Sequence, residues 1–189
     1  MIPGEDRAWE RLADLDPSEV CENTLAEYDR DRRLYRLVSF GMDIYISPGG
    51  KTIISDSPEG ERLIGKLGYF SRLAVLHYMV GARPVPLSGK LVNPDNLRGG
   101  QLFFRGTHVL PKEKVAEKYG ADPEGFIRRG KALGGEETDH GDASVRLFPL
   151  PRVPVTVILW REDEEFPAGA DVLFDATCES HLPLDMLWS

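Results

Sequence analysis

Residues 57–80 read SPEGERLIGKLGYFSRLAVLHYMV. Ser57 is a capping residue and Pro58 takes the first helical position, where its fixed φ suits a helix and its missing N–H would be unpaired anyway. Leu63, Leu67, Phe70, Ala74 and His77 follow at spacings of four, three, four and three, with Ile64, Val75 and Tyr78 widening the stripe. That spacing predicts a long helix over about 58–80 with one apolar face, the central element of the fold. What it packs on is legible in Val153 to Trp160. Val153, Val155, Val157 and Leu159 alternate with Thr156, Ile158 and Trp160, so both faces are apolar. A strand half exposed to water alternates with polar residues instead, so this one is predicted to be central and covered on both sides, one side by the 58–80 helix.

Strands are predicted around it. Val145 and Leu147 alternate with Ser144 and Arg146, Val172 with Phe174 forms a third run, and Pro149, Pro151 and Pro154 fall in the connection from Phe148 to Pro154, where missing donors are tolerable. Asp16-Pro17 and Asp122-Pro123 repeat the chemistry of Ser57-Pro58. The first, with Glu19 three residues after Asp16, predicts a helix to about Asp29 that places Val20, Cys21, Thr24, Leu25 and Tyr28 on one face and Cys21 in the core. Helices are also expected over 111–119, stopping at Gly120, and over 123–133, stopping at Gly134-Gly135. Leu34 to Ser39, Asp43 to Ile46 and Lys51 to Ser55 are predicted as three short strands, divided by Phe40-Gly41-Met42 and Pro48-Gly49-Gly50. The expected fold is α+β: a single domain, 1–189, with an N-terminal helical segment over 1–33, a small antiparallel meander, a long central helix and a mostly antiparallel C-terminal sheet.

Composition bounds the function classes. The 189 residues are 41% hydrophobic and 29% charged with a net charge of −8, an ordinary globular balance that excludes disorder and coiled coil. The longest apolar runs are eight residues, far short of the ~20 that span a bilayer. No membrane association and a cytoplasmic location are expected. Residues 83–131 hold ten Lys and Arg against five Asp and Glu, with Phe103, Phe104, Tyr119 and Phe126 interleaved, a composition seen in single-strand nucleic-acid grooves. Half of these charges alternate with Glu on predicted helices, and the acidic whole repels phosphate, so no nucleic-acid partner is expected.

The standard phosphate-loop, dinucleotide, serine-hydrolase, zinc-protease and C-x-x-C motifs are absent. The chemistry that remains is sparse. Cys178 and His181 are spaced to ligate a metal or to act as nucleophile and base, although a closed metal site needs further ligands from Cys21, His77, His108 or His140. Cys178, following a strand end, is expected to be more accessible than Cys21. In Asp139-His140-Gly141-Asp142 two carboxylates flank an imidazole at a turn. His77, on the predicted buried stripe, must hydrogen-bond a fixed acceptor or face a ligand. His77, Tyr78, Asp142, Asp175 and His181 are therefore the candidate cofactor-binding residues, and Cys178 with His181 the candidate metal pair.

Taken in order, Leu76-His77-Tyr78, Pro86-Leu87-Ser88-Gly89, Leu133-Gly134-Gly135, Gly141-Asp142-Ala143, Pro151-Arg152-Val153-Pro154, Leu159-Trp160, Asp163-Glu164-Glu165-Phe166-Pro167, Leu173-Phe174-Asp175 and Leu182-Pro183-Leu184-Asp185 resemble the domain of unknown function 3786 family. The resemblance runs from about 34 to 185. It implies a protein of anaerobic bacteria or methanogens, and some members are similar to fusions with an iron–sulfur domain. Cys21 and Cys178 alone cannot hold a four-Cys cluster, so an iron–sulfur role requires a protein partner carrying the centre. The resemblance assigns no catalytic residues. The implied function is a cofactor-binding or accessory protein of anaerobic redox or one-carbon metabolism, its cofactor a redox group, a tetrapyrrole or a metal, with a pocket between the 58–80 helix and the C-terminal strands. The alternatives are a small enzyme using His, Asp and Cys chemistry, and a non-catalytic partner-binding subunit.

Overall fold

The computed structural model describes residues 3–98, 100, 110 and 112–187. Phe103, Phe104, Arg105 and His108 lie outside these, as does the side chain of Leu67. Pro3–Asp14 forms a first helix, α1, that the sequence reading did not resolve; Ala8, Trp9 and Leu12 bury its inner face. Asp16 then caps α2 (Pro17–Thr24), accepting from the N–H groups of Ser18 at 2.7 Å and Glu19 at 3.4 Å. This helix ends earlier than expected. Leu25 turns left-handed at φ 59° and returns its N–H to Cys21, which frees Glu27–Asp29 to become strand β1. Tyr28 satisfies either periodicity, and here its ring lies 4.8 Å from that of Tyr35 across the strand pair.

Strands β2 (Leu34–Ser39), β3 (Met42–Ser47) and β4 (Thr52–Ile54) complete an antiparallel sheet in the order β1-β2-β3-β4, so the meander has four strands where three were expected. Its inner face buries Tyr35, Leu37, Ile44, Ile46 and Ile53, with Ser39 at one end. The second sheet has the order β5-β9-β8-β7-β6, from β5 (Leu91–Val92), β6 (Glu136–Thr138), β7 (Ala143–Leu150), β8 (Val153–Trp160) and β9 (Gly169–Asp175). All its pairings are antiparallel and β8 is central, as its two apolar faces require. The β7–β8 reversal is tighter than expected, with Pro149 and Pro154 inside the strands and only Pro151-Arg152 between them. A register slip between Leu147 and Leu150 absorbs the missing proline donor.

That irregularity joins the two sheets. Phe40 N–H donates to the Phe148 carbonyl at 2.8 Å, and Ser39 Oγ to the Pro149 carbonyl at 2.8 Å. Alongside, Gly41 and Gly134 cross at left-handed φ of 72° and 68°, so close that a Cβ on Gly134 would stand 2.6 Å from the Gly41 Cα. Only glycine satisfies both demands.

The long helix α3 (Pro58–Gly81) is capped by Ser57, whose Oγ accepts from Gly60 N–H at 3.0 Å. It is not continuous: Gly68 has φ 69° and ψ −165°, a break that resets the phase of the apolar stripe. Phe70, expected on the buried face, is therefore 66% exposed, His77 is only half-buried, and Ser71, Ala74, Tyr78 and Met79 form the inner face after the break. The main core gathers residues of α1, α2 and α3 with the first sheet, Leu150, Val153, Phe174, Cys178 and Leu182. A smaller cluster packs Phe126, Val115 and Tyr119, from α4 (Lys112–Tyr119) and α5 (Pro123–Ala132), on Val145, Val157 and Leu159. Cover of this face of β8 is thus shared: the main core takes the Val153 end and α4 with α5 the other. The chain closes with a 3-10 turn, Cys178–Ser180, and the short helix α6 (Leu184–Leu187) against α3. Among the described residues no helix is long and apolar enough to cross a membrane.

Candidate functional site

β9 delivers Asp175 to the end of the second sheet, 3% exposed. Its Oδ1 accepts from Ser88 N–H (3.1 Å), Ser88 Oγ (2.9 Å), Thr177 N–H (3.0 Å) and Thr177 Oγ1 (2.7 Å), and its Oδ2 from Gly89 N–H (2.7 Å). Burial alone would raise its pKa, but the donors of Thr177 and Ser88 together outweigh burial and hold it below the ordinary carboxylate value. The carboxylate is a clasp between the 86–89 loop and the strand end, with four donors on Oδ1 and one on Oδ2.

A second polar centre stands where α2 and α3 meet the β7–β8 turn. The Tyr78 hydroxyl donates to the Thr24 carbonyl at 2.9 Å and accepts from Arg152 N–H at 3.2 Å. Arg152 spreads its guanidinium over three carbonyls, Asn23 by Nε (2.8 Å), Glu22 by Nη2 (3.0 Å) and Val85 by Nη1 (3.2 Å). Two of these belong to the last turn of α2, where a cation is favoured by the unpaired carbonyls. Tyr78 is fully enclosed, and burial holds its hydroxyl protonated well above the ordinary range.

His181 lies beside this centre at 1% exposure, and neither ring nitrogen has a hydrogen-bond partner. Burial and then the Arg152 charge push its pKa down, against smaller opposing effects of the Arg83 backbone and Asp175. Cys178 is the reverse of the sequence expectation: it is fully buried while Cys21 is half-exposed. The turn after Asp175 folds Cys178 back into the core, and burial with the neighbouring Glu179 charge pushes its thiol up to about 12. Such a thiol is protonated and a poor nucleophile or ligand. No group of three or more His, Cys, Asp and Glu able to hold a metal is found among the described residues.

Of the five candidate cofactor residues, the fold brings Tyr78, Asp175 and His181 to one region. His77 is next to Tyr78 on the helix, about 100° round, and so does not share its direction. Asp142 is at the other end of the sheet, since its N–H bonds Leu159 while Asp175 follows Phe174, the partner of Val155. That is roughly 15 Å away along the strands. There Asp142 is exposed and accepts from Arg161 N–H at 2.7 Å, a turn-forming role. Ser88, Gly89 and Arg152 were not singled out by chemistry. Their signal was available: a loop ending in Ser-Gly, and an arginine between prolines in a strand reversal.

Next to these polar centres is an apolar cavity of about 240 Å³. Ala74 and Val75 of α3, Val153 and Val155 of β8, Val172 and Phe174 of β9, and Leu182, Met186 and Leu187 of the C-terminal segment line it, with Ser39 and Ser71 among its few polar neighbours. Val153, Phe174 and Leu182 each adjoin in sequence a residue of the polar region, namely Arg152, Asp175 and His181.

No curated protein and no solved structure matches the chain. A family model does, over residues 16–189, beginning earlier than the resemblance seen in the sequence. Of the pieces that carried that resemblance, those containing Tyr78, Ser88-Gly89, Arg152, Asp175 and Leu182 meet at the clasp, the α2 cap and the cavity beside them, whereas Gly141-Asp142-Ala143 and Leu159-Trp160 lie at the other end of the sheet. The chain belongs to the family described as domain of unknown function (DUF3786).

Proposed function

We propose that the protein is a binding or accessory protein that holds a small apolar ligand, or the apolar end of a larger one, in the cavity between α3 and the C-terminal strands. The carrying observation is the cavity itself. Its lining is almost wholly aliphatic and aromatic, the composition of a site that binds by apolar burial. At about 240 Å³ it exceeds the ~150 Å³ that accommodates benzene and falls short of the ~300 Å³ at which drug-sized sites begin. It suits on the order of ten heavy atoms, which favours an alkyl or single aromatic moiety over a whole tetrapyrrole. Binding is favoured over catalysis because the reactive groups nearby are committed: the Asp175 carboxylate is enclosed and holds five donors as a structural clasp, and the Cys178 thiol stays protonated. An accessory role in anaerobic redox or one-carbon metabolism, beside a partner carrying an iron–sulfur centre, has the family resemblance as its support.

The test is a titration of the full chain with naphthalene followed by NMR. Saturable shifts at Ala74, Val155 and Val172 are expected, with binding at least about tenfold weaker in Val172→Phe, whose ring fills the cavity, at unchanged circular dichroism. Absence of binding to the wild type, or equal binding to both, rejects the reading.

A further inference from the structure

The C-terminal segment is attached in an unusual way. Ala176 N–H donates to the Lys90 carbonyl at 2.8 Å, and Thr177 is held by Asp175. Beyond that point, among the described residues, the hydrogen bonds of 178–187 stay within 177–187: Ser180 to Thr177, His181 and Leu182 to Cys178, Met186 and Leu187 to Pro183. None of the ion pairs among the described residues involves the segment either. It is held by apolar packing of Cys178, Leu182, Leu184, Met186 and Leu187, three of which wall the cavity. In the middle of this segment sits His181, enclosed and without a partner on either nitrogen.

We propose that residues 178–187 are a latch over the apolar cavity, released by protonation of His181. The inference rests on the binding reading above and adds its regulation. A neutral imidazole loses hydrogen bonds on burial, but an imidazolium presents two charged donors, and the enclosure faces them with the Arg83 backbone alone, with no hydrogen bond made to either ring nitrogen. Among the groups around it, the Arg152 charge opposes the cation, and the Arg83 backbone and Asp175 offset this only in part. Arg152 approaches from the β7–β8 turn with its own positive charge; from β9 comes Asp175, whose five donors are Ser88, Gly89 and Thr177 groups and not the ring; Cys178, on the same turn, is a protonated thiol; and after the end of α3 the Arg83 backbone faces the ring. Glu179 and Asp185 of the segment itself are exposed. A protonated ring is satisfied only in water. Because, among the described residues, no hydrogen bond ties 178–187 to the rest of the fold, the ring's exit carries Leu182 and α6 with it and opens the cavity wall they form.

Hydrogen exchange of the full chain at about pH 7.5 and about pH 5.5, corrected for intrinsic chemistry, tests the latch, since local opening is read segment by segment. Protection of 178–187 is expected to fall by up to about tenfold at the lower pH, the limit for one histidine freed to titrate at its ordinary value, while β7 and β8 keep theirs. His181→Phe, and independently His181→Leu, should remove that pH response. A flat response in the wild type, or an equal response in whichever variant folds, overturns the proposal. Naphthalene binding at both pH values separates the two readings. Faster release at low pH in the wild type alone supports the regulated cavity. A latch that opens over a cavity with no affinity at either pH removes the ligand, and with it the regulatory meaning, while the segment's motion stands.

Discussion

Asp175 and Ser88, 87 positions apart, are joined twice through a single carboxylate oxygen, which takes both the N–H and the Oγ of the serine. With Gly89 and Thr177 the carboxylate collects five donors in a site 3% exposed. Hydrogen bonds to a charged acceptor contribute about 1.5–3 kcal/mol each when buried, and removing the acceptor leaves the donors unsatisfied. Asp175→Asn, which turns an amide N–H₂ toward donors, should cost about 3 kcal/mol in urea unfolding. The folded pKa of Asp175 is depressed, so its contribution is complete above the unfolded value of about 3.9 and is lost as pH falls through the lower folded value. The difference between wild type and Asp175→Asn should accordingly be constant above about pH 5 and shrink toward pH 2. A pH-independent difference would show that geometry rather than charge holds the clasp.

The Tyr78 hydroxyl and the Arg152 backbone meet at 3.2 Å over the end of α2, and the Arg152 guanidinium caps the same helix. Tyr78→Phe leaves the Thr24 carbonyl and the Arg152 N–H without that partner in an enclosed site, a loss of about 1–3 kcal/mol. Arg152→Lys, whose ammonium cannot address three carbonyls set in a fork, should lose a similar amount. Because both substitutions loosen one junction, a double-mutant cycle should return a coupling of at least about 0.5 kcal/mol. Additivity within error would mean that the two contacts act separately.

Much of this architecture was legible because local chemistry and burial agreed. Asp16, Ser57 and Asp122 cap helices at the places their Pro neighbours announce, and the two apolar faces of β8 admit only a central strand. Where reading and structure diverge, a single residue switches the period. Leu25 in the left-handed region ends α2 early, and a leucine carries no sequence signal for that conformation. Gly68 breaks α3, so a stripe counted across it put Phe70 inside and overstated the burial of His77. The site was half legible. Asp175 and His181 follow a visible strand end, but their partners Ser88 and Arg152 are distant in sequence, and only pairing of β9 with β8 and β5 brings them near.

Gly65 and Gly68 occupy the same helix three residues apart and should respond oppositely to alanine. Gly65 is helical with nothing within 4 Å of an added Cβ, so Gly65→Ala should stabilise by up to about 1 kcal/mol through helix propensity. Gly68 also has open space, but its φ of 69° with ψ of −165° is a conformation that only glycine adopts without strain. Gly68→Ala should therefore destabilise by about 1–3 kcal/mol, or straighten the helix and bury Phe70. Thermal melts give the sign, and the exposure of Phe70 to a photo-oxidative footprint tells strain from straightening. Stabilisation by both substitutions would contradict the break at Gly68.

The two thiols rank in the order their burial dictates. Cys21 is half-exposed, with a pKa raised by burial and by the Glu27 charge, whereas Cys178 is fully enclosed and its thiol is pushed up to about 12. The thiolate is the reacting species, so both should be slow at neutral pH and Cys21 the faster by at least about tenfold. Mass spectrometry after a short pulse of iodoacetamide should show label on Cys21 alone, and Cys178 should take it only as rapidly as the structure around it opens. Lowering the pH reduces the thiolate of both, so a rise in Cys178 labelling relative to Cys21 on acidification would report motion of the C-terminal segment and not reactivity. A reagent insensitive to thiolate fraction, such as an activated disulfide with a pyridine leaving group, makes that comparison directly. Cys178 labelling faster than Cys21 in the native protein at neutral pH would be incompatible with the packing of Cys178 against Leu182 and Phe174 in the core.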